Sequence, residues 1–133
     1  MDYTQSSSSS QLFSNIAKKD YLNFGYRDSF RSEEVARFLD FSPDDISKIA
    51  RVKKPLRLDR LPLPVRERLE QIGNICNLVA EAFDGDVARA AMWFKTTNPM
   101  LGNTTPRDMI RLGRYNKLIQ FILNALEETN KSQ

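Results

Sequence analysis

The 133-residue sequence contains no histidine and one cysteine, Cys76. Without histidine the chain cannot form a Ser-His-Asp or Cys-His nucleophilic site, an HExxH zinc site, or a general base that depends on imidazole. One cysteine excludes an internal disulfide and a cysteine-based zinc site, and the five glycines form no glycine-rich phosphate loop. Composition leaves carboxylate or lysine chemistry open, but no motif supports it. We therefore expect no enzyme, no metal site and no cofactor.

Long apolar runs and strand patterns are also missing. No stretch approaches the run of about 18 apolar residues that a membrane span needs, and the polar first ten residues lack the apolar segment of a secretory signal. Together with the lone thiol, this predicts a cytoplasmic protein that does not contact membranes. Apolar and polar residues do not alternate over five or more positions, and no hairpin turn separates two β-branched runs. We therefore expect an all-α fold.

Amino-acid composition and helix-breaking residues divide the chain into three regions. Residues 1–11 are a serine-rich tail, which is predicted to be disordered. Residues 12–60 are predicted to form a small helix-turn-helix-like module and a linker, and residues 61–129 a larger helical domain. Ser32, Ser42 and Thr105 each stand at a predicted helix start, the last two directly before proline at the first helical position. The proline-containing linker is expected to extend to Pro64.

Helical periodicity is clearest in the middle of the sequence. Apolar residues recur at alternating intervals of four and three, at Val65, Leu69, Ile72, Cys76, Val79 and Phe83. This spacing predicts one long helix with Cys76 as a buried structural thiol. The final helix is apolar on nearly every side by composition, so we expect its own domain or a partner to enclose it.

The first candidate site is the helix pair between Ser32 and Arg51. A helix-turn-helix needs a small residue in its first helix, here Ala36, a tight turn, here at Asp40, and inward apolar residues, here Ile46 and Ile49. Eight cations between Lys48 and Arg68 accompany only two acids, which is the pattern that phosphate contacts need. The predicted DNA contacts are Ser47, Lys48, Arg51, Lys53 and Lys54. Asp44 and Asp45 argue against them, because carboxylates in the first turn of the second helix repel phosphate.

The second candidate site contains two motifs, Asn98-Pro99-Met100-Leu101-Gly102 and Thr105-Pro106-Arg107-Asp108. They follow an Ala-x-x-Trp motif and precede a glycine and a closing amphipathic helix. In this order they resemble the C-terminal toxin-binding domain of Xre/MbcA/ParS-type antitoxins. The resemblance covers roughly residues 30–128, and it includes the position where that family places a helix-turn-helix. Asn103 departs from the pattern, because a second glycine is common there.

The resemblance implies a bacterial type II antitoxin that assembles with a RES-class toxin. Such toxins degrade NAD, and the antitoxin covers their NAD site sterically and can repress its own operon through the helix-turn-helix. It also implies an oligomeric assembly, and we expect a homo-oligomer. Residue types enriched at interface centres predict the toxin contacts. They are Met100, Leu101, Gly102, Arg111, Arg114, Tyr115 and Lys117, although Met100 and Leu101 could instead close the domain's own core, and Gly102 could serve as a turn terminator.

Two other functions remain open from the sequence. The first is a stand-alone DNA-binding transcriptional regulator that uses the C-terminal domain for dimerisation. The second is an adaptor in which the helix-turn-helix has lost DNA binding, consistent with Asp44 and Asp45. The surface of the last helix separates an antitoxin from a regulator. An antitoxin exposes some apolar and arginine side chains there until the toxin binds, whereas a regulator seals them in a homodimer.

Overall fold

A computed structural model describes residues 16–53, 56–57 and 59–131, with side chains described as far as Glu128. The predicted disordered tail, residues 1–11, and the candidate DNA contact Lys54 lie outside the described residues. Within them we find six α-helices and no strand, which confirms the all-α prediction. The helices are α1 (Ser32–Phe38), α2 (Pro43–Ala50), α3 (Leu63–Ala82), α4 (Val87–Lys95), α5 (Pro106–Arg111) and α6 (Tyr115–Lys131).

Short turns complete the described structure. Arg27–Ser29 and Pro99–Leu101 form single 3-10 turns, and one isolated antiparallel bridge joins Asn98 and Thr104. None of the described helices combines the length and the apolar character that crossing a membrane requires.

Side-chain caps begin three of the described helices, two of them at the predicted residues Ser42 and Thr105. The Asp45 N–H donates to the Ser42 hydroxyl at 3.1 Å, and the Ser42 N–H donates to the Asp45 carboxylate at 3.0 Å. This reciprocal pair is a capping box. Thr105 accepts the Asp108 N–H at 3.0 Å at the start of α5, and the Asp86 side chain caps α4. Local chemistry therefore sets these starting points.

Two predicted boundaries are wrong by a small amount. Helix α1 begins at Ser32 itself, with Arg31 as the N-cap residue and no side-chain cap. Ser32 is buried, so its side chain packs into the protein instead of capping the helix. Helix α3 begins at Leu63, within the predicted linker, with Pro64 in its first turn. Proline is tolerated there because the first helical N–H groups have no partner within the helix.

Helix α3 is the centre of the fold and packs against α1, α4 and α6. Four residues of its predicted apolar stripe are buried, Leu69, Ile72, Cys76 and Val79. Val65 and Phe83, at the two ends of the stripe, are half-buried and pack against the core. Ile75, Leu78 and Ala80 are buried as well. The helix is therefore covered on more than the predicted face.

The segment before α1 is held on α3 by polar contacts. The Asn77 side chain, which is buried, accepts the Leu22 N–H at 2.9 Å and donates to Asp20 at 3.0 Å. The Asp20 carboxylate in turn accepts the N–H groups of Phe24 and Gly25 at 3.0 and 2.8 Å. These bonds fix a segment whose sequence shows no helical period, and they bring Phe24 into the core.

Helix α6 is amphipathic, contrary to the prediction that it is apolar on nearly every side. Leu118, Ile119 and Ile122 are buried. Its exposed side carries Asn116, Gln120, Asn124 and Glu128. These polar residues recur every four positions, which places them on one side of a helix. The protein's own core encloses the apolar face, so α6 by itself gives no argument for a second copy.

Candidate functional site

The chain between α4 and α5 forms a closed loop from Asn98 to Thr104. The Asn98 N–H donates to the Thr104 carbonyl at 3.1 Å, and the Asn103 N–H donates to the Asn98 carbonyl at 3.0 Å. The Asn98 side chain accepts the Met100 N–H at 2.9 Å. Gly102 and Asn103 have φ values of +70° and +60°, a region that glycine adopts freely and asparagine tolerates. Asn103 therefore adopts the backbone conformation that a glycine would adopt at this position.

This loop presents Met100 to solvent. Met100 is 77% exposed, the largest value among the exposed large apolar residues of the described chain. Leu101 is half-buried and packs against the core. Gly102 is exposed, and a Cβ added to it would meet no atom within 4 Å, so its positive φ is what favours glycine. Of these three predicted contacts, Met100 is the apolar side chain that a partner can cover.

The other predicted toxin contacts lie around the corner between α5 and α6. The Nε and Nη2 of Arg111 donate to the Asp108 carboxylate at 3.2 and 3.1 Å. The guanidinium of Arg68 lies 4.0 Å from the centre of the Tyr115 ring, which is a cation–π contact. The remaining two, which are exposed, are Arg114 and Lys117. Arg111 and Tyr115 are thus engaged within the chain, whereas the other two cations face solvent.

Two further exposed apolar residues lie near these contacts in the sequence and were not among the predicted contacts. Met92 on α4 is 68% exposed, and Leu112 at the end of α5 is 57% exposed. A signal for Met92 exists in the sequence. Successive helical residues are rotated by about 100°, so Met92 lies on the side of α4 opposite to the apolar face that contains Ala90 and Phe94.

Helices α1 and α2 meet at a tight turn, as predicted. Asp40 has a φ of +56°, and the Phe41 N–H donates to the Ala36 carbonyl at 2.8 Å. Ala36 and Ile46 are buried, and Ile49 packs against the core from a half-buried position. Helix α2 packs against α5. We call residues 32–51 the α1–α2 unit; its role in DNA binding stays a prediction.

The predicted DNA contacts separate into exposed and buried residues. Ser47 is buried, and its hydroxyl donates to the Pro43 carbonyl at 2.9 Å and accepts the Leu56 N–H at 3.0 Å. It holds the chain that follows α2 and does not face solvent. The exposed members of the predicted set are Lys48, Arg51 and Lys53.

The acidic start of α2 is less unfavourable for DNA binding than the sequence suggests. Asp44 is exposed, but the Asp45 side chain is only 16% exposed and lies 3.9 Å from the Arg107 guanidinium. Asp45 is also engaged in the capping box with Ser42. Part of the negative charge at this helix start is therefore balanced within the protein.

Arg107 connects α5 with the α1–α2 unit. Its Nη2 donates to the Asp40 carbonyl at 2.7 Å, and its Nε donates to the Leu39 carbonyl. The guanidinium also lies 5.2 Å from the centre of the Phe41 ring. One side chain thus bonds to the turn between α1 and α2. No local sequence pattern marks this role, because the bonded residues are 67 and 68 positions apart.

Lys95 makes a second connection to the same turn. Its Nζ lies 2.8 Å from the Asp40 carboxylate. The hydrogen bond and the positive charge of Lys95 lower the pKa of Asp40 below its ordinary value. Both side chains are substantially exposed, so this ion pair is the weaker of the two connections.

In the described chain the side chain of Cys76 is buried. Burial raises the pKa of the Cys76 thiol, which disfavours the reactive thiolate. Among the described residues, no group of three or more His, Cys, Asp or Glu side chains could hold a metal ion.

Comparison with known proteins finds one similarity, in the C-terminal part of the chain. Residues 78–127 match the family model of the antitoxin Xre/MbcA/ParS C-terminal toxin-binding domain. This span contains the Asn98–Thr104 loop and Arg107. No curated protein and no solved structure matches the chain. The wider resemblance, back to residue 30, stays a prediction. Residues 78–127 are therefore similar to the C-terminal toxin-binding domain of Xre/MbcA/ParS antitoxins.

Proposed function

We propose that this antitoxin binds a RES-type, NAD-degrading toxin and neutralises it sterically, with Met100 as an apolar anchor of the interface. The toxin class rests on the family resemblance. The anchor rests on one observation, the 77% exposure of Met100 on a loop that internal hydrogen bonds hold closed. An apolar side chain held out by a fixed loop is removed from water when a partner covers it, at little cost in ordering.

Other exposed side chains of the matched domain suit the rim of such an interface. Exposed Met92 and Leu112 add apolar area, and the exposed cations Arg114 and Lys117 can reach carboxylates or carbonyl groups of the toxin. The other predicted contacts shape or orient this surface and do not anchor the partner. They are Leu101, Gly102, Arg111 and Tyr115. The chain acts by binding, and the toxin carries the NAD chemistry.

The first experiment identifies the partner. Tagged protein is purified from its native lysate, and co-purifying proteins are identified by mass spectrometry. We expect a stoichiometric RES-like protein whose consumption of NAD resumes when this chain is removed. A stoichiometric partner that leaves NAD intact would contradict the proposed toxin class.

A substitution at Met100 tests the anchor. Met100→Asp places a charge at the centre of the proposed contact and should weaken toxin binding about 30-fold or more, the effect of losing an interface hot spot. Leu63→Asp is the matched control, because Leu63 is 66% exposed and lies outside the matched domain. Calorimetry measures both affinities. Equal affinities for the two variants would show that the anchor lies elsewhere.

We further propose that the α1–α2 unit binds operator DNA and so represses the antitoxin's own operon. The exposure of Lys48, Arg51 and Lys53 supports this, as does the internal balance of Asp45 by Arg107. Lys54 belongs to the proposed contact set as the neighbour of Lys53 in the sequence. These cations would contact phosphates, whose neutralisation makes binding depend on salt.

Replacing Lys53 and Lys54 together with alanine tests this surface. The double variant should bind all duplex sequences more weakly and reduce the salt slope by up to about two phosphate contacts. The adjacent pair Lys18 and Lys19, which is exposed in the segment before α1, provides the control double variant. A salt slope that is the same for both double variants would remove Lys53 and Lys54 from the DNA surface.

The alternatives predict different outcomes of these experiments. A stand-alone regulator would be recovered alone or only with itself, whereas an adaptor would show no salt-dependent association with DNA. The burial of Leu118, Ile119 and Ile122 within the protein's own core leaves those residues unavailable to a homodimer core. The exposure of Arg114 and Lys117 near the start of α6 favours the antitoxin proposal.

A further inference from the structure

We propose that Arg107 is a positioning residue for the DNA-binding surface. It holds α2, which carries Lys48, in a fixed orientation on the toxin-binding domain. This inference rests on the proposed DNA-binding function of the α1–α2 unit and deepens it, because it names the side chain that fixes the surface. Arg107 itself makes no proposed contact with DNA or toxin.

The contacts of Arg107 reach each part of the α1–α2 unit. Its bonds to the carbonyls of Leu39 and Asp40 lie at the end of α1 and in the turn. Its guanidinium lies over Phe41 at 5.2 Å and 3.9 Å from Asp45 in the first turn of α2. A single side chain therefore contacts the end of one helix, the turn and the start of the next.

The chemistry of these contacts requires arginine. The carbonyls at a helix C-terminus lack partners within the helix and carry partial negative charge. A planar guanidinium can donate to two of them at once and stack on a ring, whereas lysine offers one compact charge. The Arg107 side chain is only 24% exposed, so water competes weakly for these bonds. The Lys95–Asp40 pair is more exposed and adds less.

The position of Arg107 links the two proposed binding surfaces. It lies on α5, one helical turn before Arg111, a candidate toxin contact. On the other side, Asp45 lies one turn before Lys48 on α2, where the proposed phosphate contacts begin. Without Arg107 the exposed Lys95–Asp40 pair would be the remaining described ion pair between the α1–α2 turn and helices α4 and α5. Apolar packing of α2 against α5 would persist, but the turn, and with it the orientation of the α2 cations, would be held less firmly.

Amide hydrogen exchange of the full chain tests the positioning role. Arg107→Met keeps an unbranched apolar side chain and removes every donor. We expect amides of residues 36–50 to exchange about tenfold to a hundredfold faster, as for the loss of hydrogen bonds to a charged group. Amides of α3 and α6 that are exposed only by global unfolding should accelerate by no more than this factor, because the same contacts are lost when the whole chain unfolds. Arg107→Lys should restore protection only in part.

Arg66→Met is the matched control for hydrogen exchange. Arg66 also donates to a distant backbone carbonyl, that of Arg27 at 2.8 Å, but it has no described bond to the α1–α2 unit. It should leave the exchange of residues 36–50 unchanged. If Arg107→Met leaves residues 36–50 protected, or if Arg66→Met accelerates their exchange to the same extent, the positioning role is wrong.

DNA binding provides the second readout, with a random-sequence duplex as the probe. Arg107→Met should lower the affinity and flatten the salt dependence, because fewer cations engage phosphates together. A folded Arg107→Met protein with the wild-type salt slope would overturn the proposal. If the wild-type protein does not bind the duplex, the proposed DNA function fails, and the exchange result alone decides whether Arg107 positions α2.

Discussion

Asp40 shows how one residue can serve a turn and a long-range contact together. Glycine commonly occupies such a turn because the left-handed region is open to it. Aspartate reaches that region less readily, but its carboxylate accepts a hydrogen bond from Lys95, at 2.8 Å. A glycine could not make this bond. The departure from the usual turn residue is therefore explained by a partner on α4.

The pH dependence of stability should reveal this bond through the Asp40→Asn variant. The pKa of Asp40 is lowered in the folded protein, first by its hydrogen bond with Lys95. The bond therefore stabilises the protein above the ordinary value of 3.8, and this stabilisation is lost as the pH falls through the lower folded pKa. Asparagine tolerates the same φ and is the appropriate replacement.

Urea denaturation of wild type and Asp40→Asn at neutral and acidic pH measures the effect. The difference in unfolding free energy should be present at pH 7 and shrink as the pH falls below 3.8, the ordinary pKa of the carboxyl. A difference that stays constant across this range would show that the Lys95 bond does not stabilise the fold.

At the scale of elements, helix α6 shows that the number of apolar residues in a segment does not determine how they are arranged around the helix. Its many apolar residues suggested a helix with no polar side. The positions of Asn116, Gln120 and Asn124, four apart, define an exposed side. The polar spacing was readable from the sequence, but the number of apolar residues obscured it.

Substitutions on the two sides of α6 should differ in effect. Ile122 is 4% exposed, so Ile122→Ala should lower the free energy of unfolding by about 2–5 kcal/mol. Gln120 is exposed and contacts Asn124, so Gln120→Ala should change it by about 0.5 kcal/mol or less. Urea denaturation measures both. Equal losses would contradict the amphipathic packing of α6.

What the sequence predicts depends on the range of the interaction. Capping at Ser42 and Thr105 is local, and the period of α3 follows from one continuous stretch, so both were predictable. The bonds of Arg107 to the α1–α2 turn join residues 67 and 68 positions apart, and no local pattern marks them. The exposure of Met100 likewise depends on which neighbours cover it, and this is decided only when the helices pack.

At the scale of the whole molecule, one core crosses the predicted boundary between residues 60 and 61. Buried Val35 and Ile46 belong to the same cluster as buried Leu69 and Leu118. The ring of Phe38 packs edge-on against Phe24 and Phe94, with ring centres 6.0 and 5.9 Å apart. The division into two modules stays a prediction, but their apolar residues are removed from water together.

We therefore expect the protein to unfold in one cooperative transition. Trp93, the single tryptophan, packs beside Phe94 in α4 and reports on the matched domain, whereas far-UV circular dichroism reports on every helix. The two signals should change at the same urea concentration, as two-state behaviour requires.

Leu39→Ala extends this test across the predicted boundary. Leu39 is fully buried at the end of α1, and its truncation should cost about 2–5 kcal/mol. In a single cooperative unit, the Trp93 transition must move to lower urea by as much as the circular dichroism transition does. In two independent modules the Trp93 midpoint would stay in place, because the damage to α1 would unfold only the first module. A Trp93 midpoint that does not move would thus support the two-module division and remove the basis for a rigid link between the proposed DNA and toxin surfaces.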